Sequence, residues 1–94
     1  MLYLVHIELN TRGVDPEKLA ELQVREKAVS QAYQRDGAVR GMWRVVGRYA
    51  NYTLYDVADH DELHRRLSSL PLYPFMDIHV TPLAKHPSAL PEDE

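Results

Sequence analysis

The chain reads as an α+β domain of the ferredoxin-like βαββαβ type: a four-stranded antiparallel sheet with two helices on one face, an α/β sandwich of the dimeric α/β-barrel kind. Three observations predict it. Segments near the two ends alternate with a strand's period of two, two capped segments carry apolar residues at helical spacing, and two runs rich in Val, Tyr, Trp and Thr lie between the helices, separated by a short turn.

In residues 2–10, alternation puts Tyr3, Val5, Ile7 and Leu9 on one face and Leu2, Leu4, His6 and Glu8 on the other, which predicts the first strand. Asp15-Pro16-Glu17 then combines an N-cap acid, a proline at the first helical position and an acidic first turn. Asp36-Gly37 supplies the stop, so the first helix has about five turns at 3.6 residues each. Residues 40–47 and 50–57 form a hairpin about Gly47-Arg48-Tyr49. Asp59 caps the second helix with Glu62 at its third position, Leu63, Leu67 and Leu70 mark a narrow apolar stripe, and the helix stops before Pro71. The last strand spans 75–81, with Met76, Ile78 and Val80 on one side, and Pro82 closes it. Residues 1–82 thus form one domain, and 83–94, with Pro87, Pro91 and a terminal Glu92-Asp93-Glu94, form an extended arm suited to lie on a neighbouring subunit.

A chain of 94 residues holds a single small domain with a limited core, for which association with further copies is a natural remedy. The sheet face away from the helices carries Leu2, Leu4, Tyr52 and Leu54, more apolar surface than a small monomer usually exposes, and subunit contacts are expected there. A net charge of -3 and the lack of a basic stripe argue against nucleic acid as a partner. With no cysteine there is no thiolate nucleophile, disulfide or Cys-based metal site. No stretch approaches a membrane span and the N-terminus does not look like a secretory leader, so no membrane partner and a cytoplasmic location are expected.

Glu26 is the residue that breaks the pattern. At roughly 100° per residue, Leu19, Leu22, Glu26, Val29 and Tyr33 share one helical face, so a carboxylate points at the core. Removing a charge from water is costly unless it is paired or neutralised, so Glu26 either has a structural ion-pair partner or transfers protons. If Tyr55 and Val57 face the helices, Tyr49, Asn51 and Thr53 do too, unless the turn breaks the alternation. A phenol and a carboxamide converging on a carboxylate give one base and two hydrogen-bond donors, a set suited to enolate chemistry. Taken singly, Asn51 could serve the turn and Tyr49 could be a packing residue with its hydroxyl in water. Trp43 and Arg44 follow as candidates for substrate binding; Arg44 could grip a carboxylate with two prongs, or simply neutralise Glu26.

His60 and His64 share an i, i+4 spacing, but no third ligand sits at a recognised offset, and no metal site is assigned. Four glycines include no phosphate-binding or dinucleotide fingerprint, so a nucleotide cofactor is not expected.

Four segments, Arg25-Glu26-Lys27-Ala28, Trp43-Arg44-Val45-Val46-Gly47-Arg48-Tyr49-Ala50-Asn51-Tyr52, Leu70-Pro71-Leu72-Tyr73-Pro74-Phe75-Met76-Asp77-Ile78 and His86-Pro87-Ser88, resemble the muconolactone Δ-isomerase family of aromatic catabolism. The resemblance covers nearly the whole chain. It implies a homodecameric ring of ferredoxin-like subunits and a cofactor-free isomerisation of a small lactone carboxylate in the β-ketoadipate pathway, with Glu26 as proton carrier and Tyr49 and Asn51 as its companions. The related chloromuconolactone dehalogenases share this framework and form the alternative. A cofactor-free α/β-barrel monooxygenase and a non-enzymatic small-molecule-binding module are more distant readings.

Overall fold

Strand β1, Leu2–Leu9, alternates half-buried and buried residues along most of its length because it has neighbours on both sides and a helix layer over only one face. The computed structural model describes residues 1–92 and gives the order β1 (Leu2–Leu9), α1 (Pro16–Arg35), β2 (Val39–Arg44), β3 (Ala50–Asp56), α2 (His60–Ser68), a 3-10 turn (Tyr73–Phe75) and β4 (Met76–Leu83). The sheet order is β2-β3-β1-β4 and every pairing is antiparallel, the expected βαββαβ arrangement.

The helix boundaries fall where the caps placed them. Asp15 accepts from the Lys18 N–H at 3.1 Å, Pro16 opens α1, and Gly37 follows its end with φ of +89°, a conformation that suits a residue without Cβ. Asp59 accepts from the Glu62 N–H at 2.8 Å, while Glu62 reaches back to the Ala58 N–H at 3.0 Å, one residue before the cap.

The strand ends differ from the expected ones. Strand β2 stops at Arg44, three residues early, because Val45–Tyr49 forms a turn with Gly47 at φ of +80°; the Arg48 N–H donates to the Val45 carbonyl, and the Val45 N–H to that of Ala50. Strand β4 continues through Pro82 to Leu83 instead of closing before the proline. It lies at the sheet edge, where a residue lacking an N–H is tolerated. Past Leu83 the described part of the tail forms neither helix nor strand, and Glu92 lies 3.9 Å from Arg40.

The core sits between the sheet's inner face and the helices. Tyr3, Val5, Ile7, Val39, Tyr55 and Val57 pack with Leu63, Leu67 and Leu70 from α2 and its exit. Helix α1 is attached differently: it buries no residue fully, and it meets this cluster through Val29 and Tyr33 in its C-terminal half. Its middle, with Gln23, Glu26, Lys27 and Ser30, forms a roof. Under that roof lies the cavity described below.

Candidate active site

Glu26 is half-buried, as the stripe required. Its Oε1 accepts the backbone N–H of Leu72 at 2.9 Å, in the segment between α2 and β4 that Pro71 and Pro74 stiffen. Among the described residues no cation lies within ion-pair distance of it, so the structural ion pair, including one with Arg44, is not formed. Burial pushes its carboxyl pKa above the ordinary 4.5, and the Leu72 hydrogen bond offsets part of that rise.

Glu26 borders an open cavity of about 320 Å³ between the roof of α1 and one end of the sheet, to which all four strands contribute. Leu9, Met42, Leu72 and Met76 supply apolar walls, and Arg44, Tyr49 and Asn51 come to it from the β2–β3 side. Asn51 arrives by alternation from buried Thr53 and Tyr55, and the turn does not break the pattern for Tyr49. The Tyr49 hydroxyl lies 3.4 Å from Nε2 of Gln23 on α1, and the Leu9 N–H holds its carbonyl at 3.0 Å. The Arg44 guanidinium carbon sits 5.3 Å from the Tyr49 ring centre, a cation–π arrangement that leaves its N–H groups available. Asn51 Oδ1 accepts from Thr53 Oγ1 at 2.9 Å, which leaves the amide NH2 of Asn51 as the free end.

Trp43 is not brought to this cavity. It pairs with Tyr52, so it points to the opposite sheet face, 57% exposed. Adjacent strand residues face opposite ways, so Arg44 and Trp43 cannot share one cavity within a subunit. A bulge between Val39 and Gly41 also shifts the register: Val39 faces the core with Tyr55, whereas Gly41 pairs with Leu54 and Met42 with Thr53. Strict alternation from buried Val39 would have turned Trp43 inward.

The cavity also takes in Gln23, Lys27 and Ser30 of α1, none of which the apolar stripe singled out. Gln23 and Lys27 lie four residues apart and flank Glu26, so the signal was their place beside it on the helix. Among the described residues no cluster of three or more His, Asp or Glu is placed to hold a metal ion. His6 and His79 are cross-strand partners on the open face with rings 6.3 Å apart, and His6 also meets Tyr52. No helix among the described residues is long and apolar enough to cross a membrane.

A ferredoxin-like sheet roofed by a helix that carries a half-buried, unpaired carboxylate beside a cavity with hydrogen-bond donors has the parts that a small proton-transfer enzyme needs. Residues 1–89 match the family model described as muconolactone delta-isomerase. The chain belongs to the muconolactone Δ-isomerase family. It is 53% identical over 91 residues to the muconolactone Delta-isomerase of Cupriavidus pinatubonensis, covering 96% of this chain and 99% of that one. It is 46% identical to muconolactone Delta-isomerase 1 of Acinetobacter lwoffii, over 100% and 99% of the two chains. A crystal structure of muconolactone isomerase superposes with a TM-score of 0.91 at 41% identity, covering 100% of this chain and 99% of that one.

Proposed function

We propose that this protein converts muconolactone to the β-ketoadipate enol-lactone by a 1,3-proton shift in which Glu26 is the single acid–base group. The observation that carries the proposal is the Glu26 carboxylate, half-buried, free of any ion pair among the described residues, and bordering a cavity shared with Tyr49 and Asn51. Family membership supplies the substrate.

Muconolactone is an unsaturated five-membered lactone bearing a carboxymethyl group. Ionised Glu26 takes the proton from the ring carbon that bears this side chain. That C–H electron pair moves through the double bond and the charge reaches the carbonyl oxygen, giving a dienolate. Tyr49 and Asn51 donate hydrogen bonds to this oxygen, where negative charge develops. The Glu26 carboxyl then returns the proton to the carbon next to the carbonyl. The double bond has moved one position, nothing has been oxidised or reduced, and no cofactor is required. Burial favours the neutral carboxyl after the first step, which brings its proton affinity closer to that of a useful acid and base. Arg44 holds the carboxymethyl group at the cavity wall.

The same proposal makes the protein a cytoplasmic homo-oligomer. Leu2, Leu4, Trp43, Tyr52 and Leu54 lie on the sheet face opposite the helices, where a second copy would cover them, and a decamer is the form the family resemblance implies. Trp43 would then serve assembly, or a neighbour's cavity, in place of its own.

The test is an ultraviolet assay of the purified protein with muconolactone, run beside 5-chloromuconolactone with chloride release followed. Isomerisation of the first substrate without efficient chloride release from the second supports the proposal. Efficient chloride release would make it a dehalogenase, and silence with both would overturn the enzymatic reading.

A further inference from the structure

The functional reading above, on which this inference rests, asks Asn51 to present its NH2 group, and not its carbonyl oxygen, to the developing oxyanion. A carboxamide has both ends on nearly the same shape, and turning it over would aim an acceptor at negative charge. Something must hold it the right way round.

Thr53 stands two residues away on the same face of β3. It is 2% exposed, and it is the buried polar side chain among the otherwise hydrophobic core of the described residues. Its sheet neighbours are Val5 on β1 and Met42 on β2, neither of which offers a strong acceptor. Its hydroxyl donates to Asn51 Oδ1 at 2.9 Å. A valine would fill the same volume more cheaply in such surroundings, since a buried hydroxyl brings a desolvation cost that its hydrogen bond must offset.

We infer that Thr53 is a positioning residue: its hydroxyl occupies the carbonyl end of the Asn51 amide and so commits the NH2 end to the substrate oxygen. The inverted amide is disfavoured twice: its NH2 could donate to Thr53 Oγ1 but would leave the buried hydroxyl hydrogen without the acceptor it now has, and the cavity would gain a second acceptor facing the enolate. Thr53 does not touch the substrate. It acts through Asn51 alone, and its effect should therefore be confined to the step in which the oxyanion develops.

The test is steady-state kinetics with muconolactone for the unaltered protein, Thr53→Val, Thr53→Ser, Asn51→Ala and the double variant Asn51→Ala/Thr53→Val. Thr53→Val should lower kcat about tenfold, part of the loss for a missing oxyanion donor, and leave KM within about twofold. Thr53→Ser, which keeps the hydroxyl, should restore kcat. In the Asn51→Ala background the valine should cost nothing further, because no amide remains to orient. Should Thr53→Val fail to fold, Thr53→Ala carries the same comparison. Wild-type kcat in the variant lacking the hydroxyl, or an undiminished loss in the Asn51→Ala background, would overturn the inference while leaving the functional reading intact. Absence of turnover by the unaltered protein would overturn both, so the two failures are distinguishable.

Discussion

The backbone N–H of Leu72 donates to Oε1 of Glu26 at 2.9 Å, joining the middle of α1 to the loop before β4 across 46 positions of sequence. This contact holds the carboxylate without neutralising it. An arginine in the place of the amide would form an ion pair and lower the carboxyl's proton affinity; a single N–H leaves Glu26 with a raised pKa and one oxygen free of protein hydrogen bonds among the described residues.

Glu26→Gln should therefore abolish most turnover while preserving the fold. The glutamine carbonyl can still accept the Leu72 N–H, but the amide cannot take a proton from the lactone ring. Circular dichroism and sedimentation should match the unaltered protein. Near-normal isomerisation by this variant would remove Glu26 from the chemistry.

Tyr49→Phe and Asn51→Ala should each lower kcat by about a hundredfold, the usual scale for one oxyanion donor. Tyr49 is 37% exposed and Asn51 is only half-buried, so neither is a core residue whose loss would collapse the domain. Unchanged kcat in both variants, measured under saturating muconolactone, would reduce them to wall residues.

Most of the fold was legible because its signals are local. The Asp15-Pro16 and Asp59…Glu62 caps, the Gly37 stop and the alternation of β1 each reflect interactions within a few residues, and each element lies where they indicate. Glu26 was legible for the same reason: one helical face, one anomalous charge. The bulge between Val39 and Gly41 was not, since it depends on how β2 meets β3 and leaves no short-range mark, and the face on which Trp43 lies depends on it. The Thr53–Asn51 bond was half visible: alternation put both on one face, but the direction of the amide emerges only from packing around Thr53.

Activity should fall on the acid side with a midpoint above 4.5, because burial raises the pKa of Glu26 and only the ionised form is a base. The same shift affects stability with a definite sign. Between the ordinary value and the raised one, the folded chain binds more protons at this site than the unfolded chain, so its contribution to stability declines as pH rises through that window. Glu26→Gln removes the penalty and should unfold at a higher urea concentration than the unaltered protein at neutral pH, with the difference shrinking in acid. A pH-independent difference would assign the effect to packing.

Arg66 should be the opposite case. It bonds Asp36 at 2.9 Å and Glu62 at 2.7 Å and lies over the Tyr33 ring, so it ties α2 to the end of α1. Hydrogen bonds from the Ala38 and Ala58 backbone N–H groups, followed by those from Arg66, hold both carboxyl pKa values below the usual range. Their stabilisation is complete above the ordinary carboxylate range and is lost as pH falls through the lowered values. Arg66→Met should lower the urea midpoint at neutral pH, with a smaller deficit in acid as pH falls through the lowered carboxyl values. Equal deficits at both pH values would show that Arg66 acts by packing over Tyr33 and not by charge.

Gly41→Ala addresses the other side of the sheet. A Cβ built at Gly41 would come within 2.5 Å of the Trp43 ring, so the indole lies across a position where only glycine leaves room. The obstructing atoms are the far end of a side chain, and the ring can swing away while the backbone pairing of β2 with β3 is kept. Trp43 is the single tryptophan, so its emission reports the movement directly. The variant should show a shifted emission maximum. If Trp43 and Tyr52 form part of the subunit contact, it should also sediment as smaller species at low protein concentration, because a displaced indole no longer presents the same surface to a second copy. Unaltered emission would mean that the ring does not rest on Gly41. A shifted emission with unaltered sedimentation would exclude Trp43 from the contact and direct attention to Leu2, Leu4 and Leu54 on the same face.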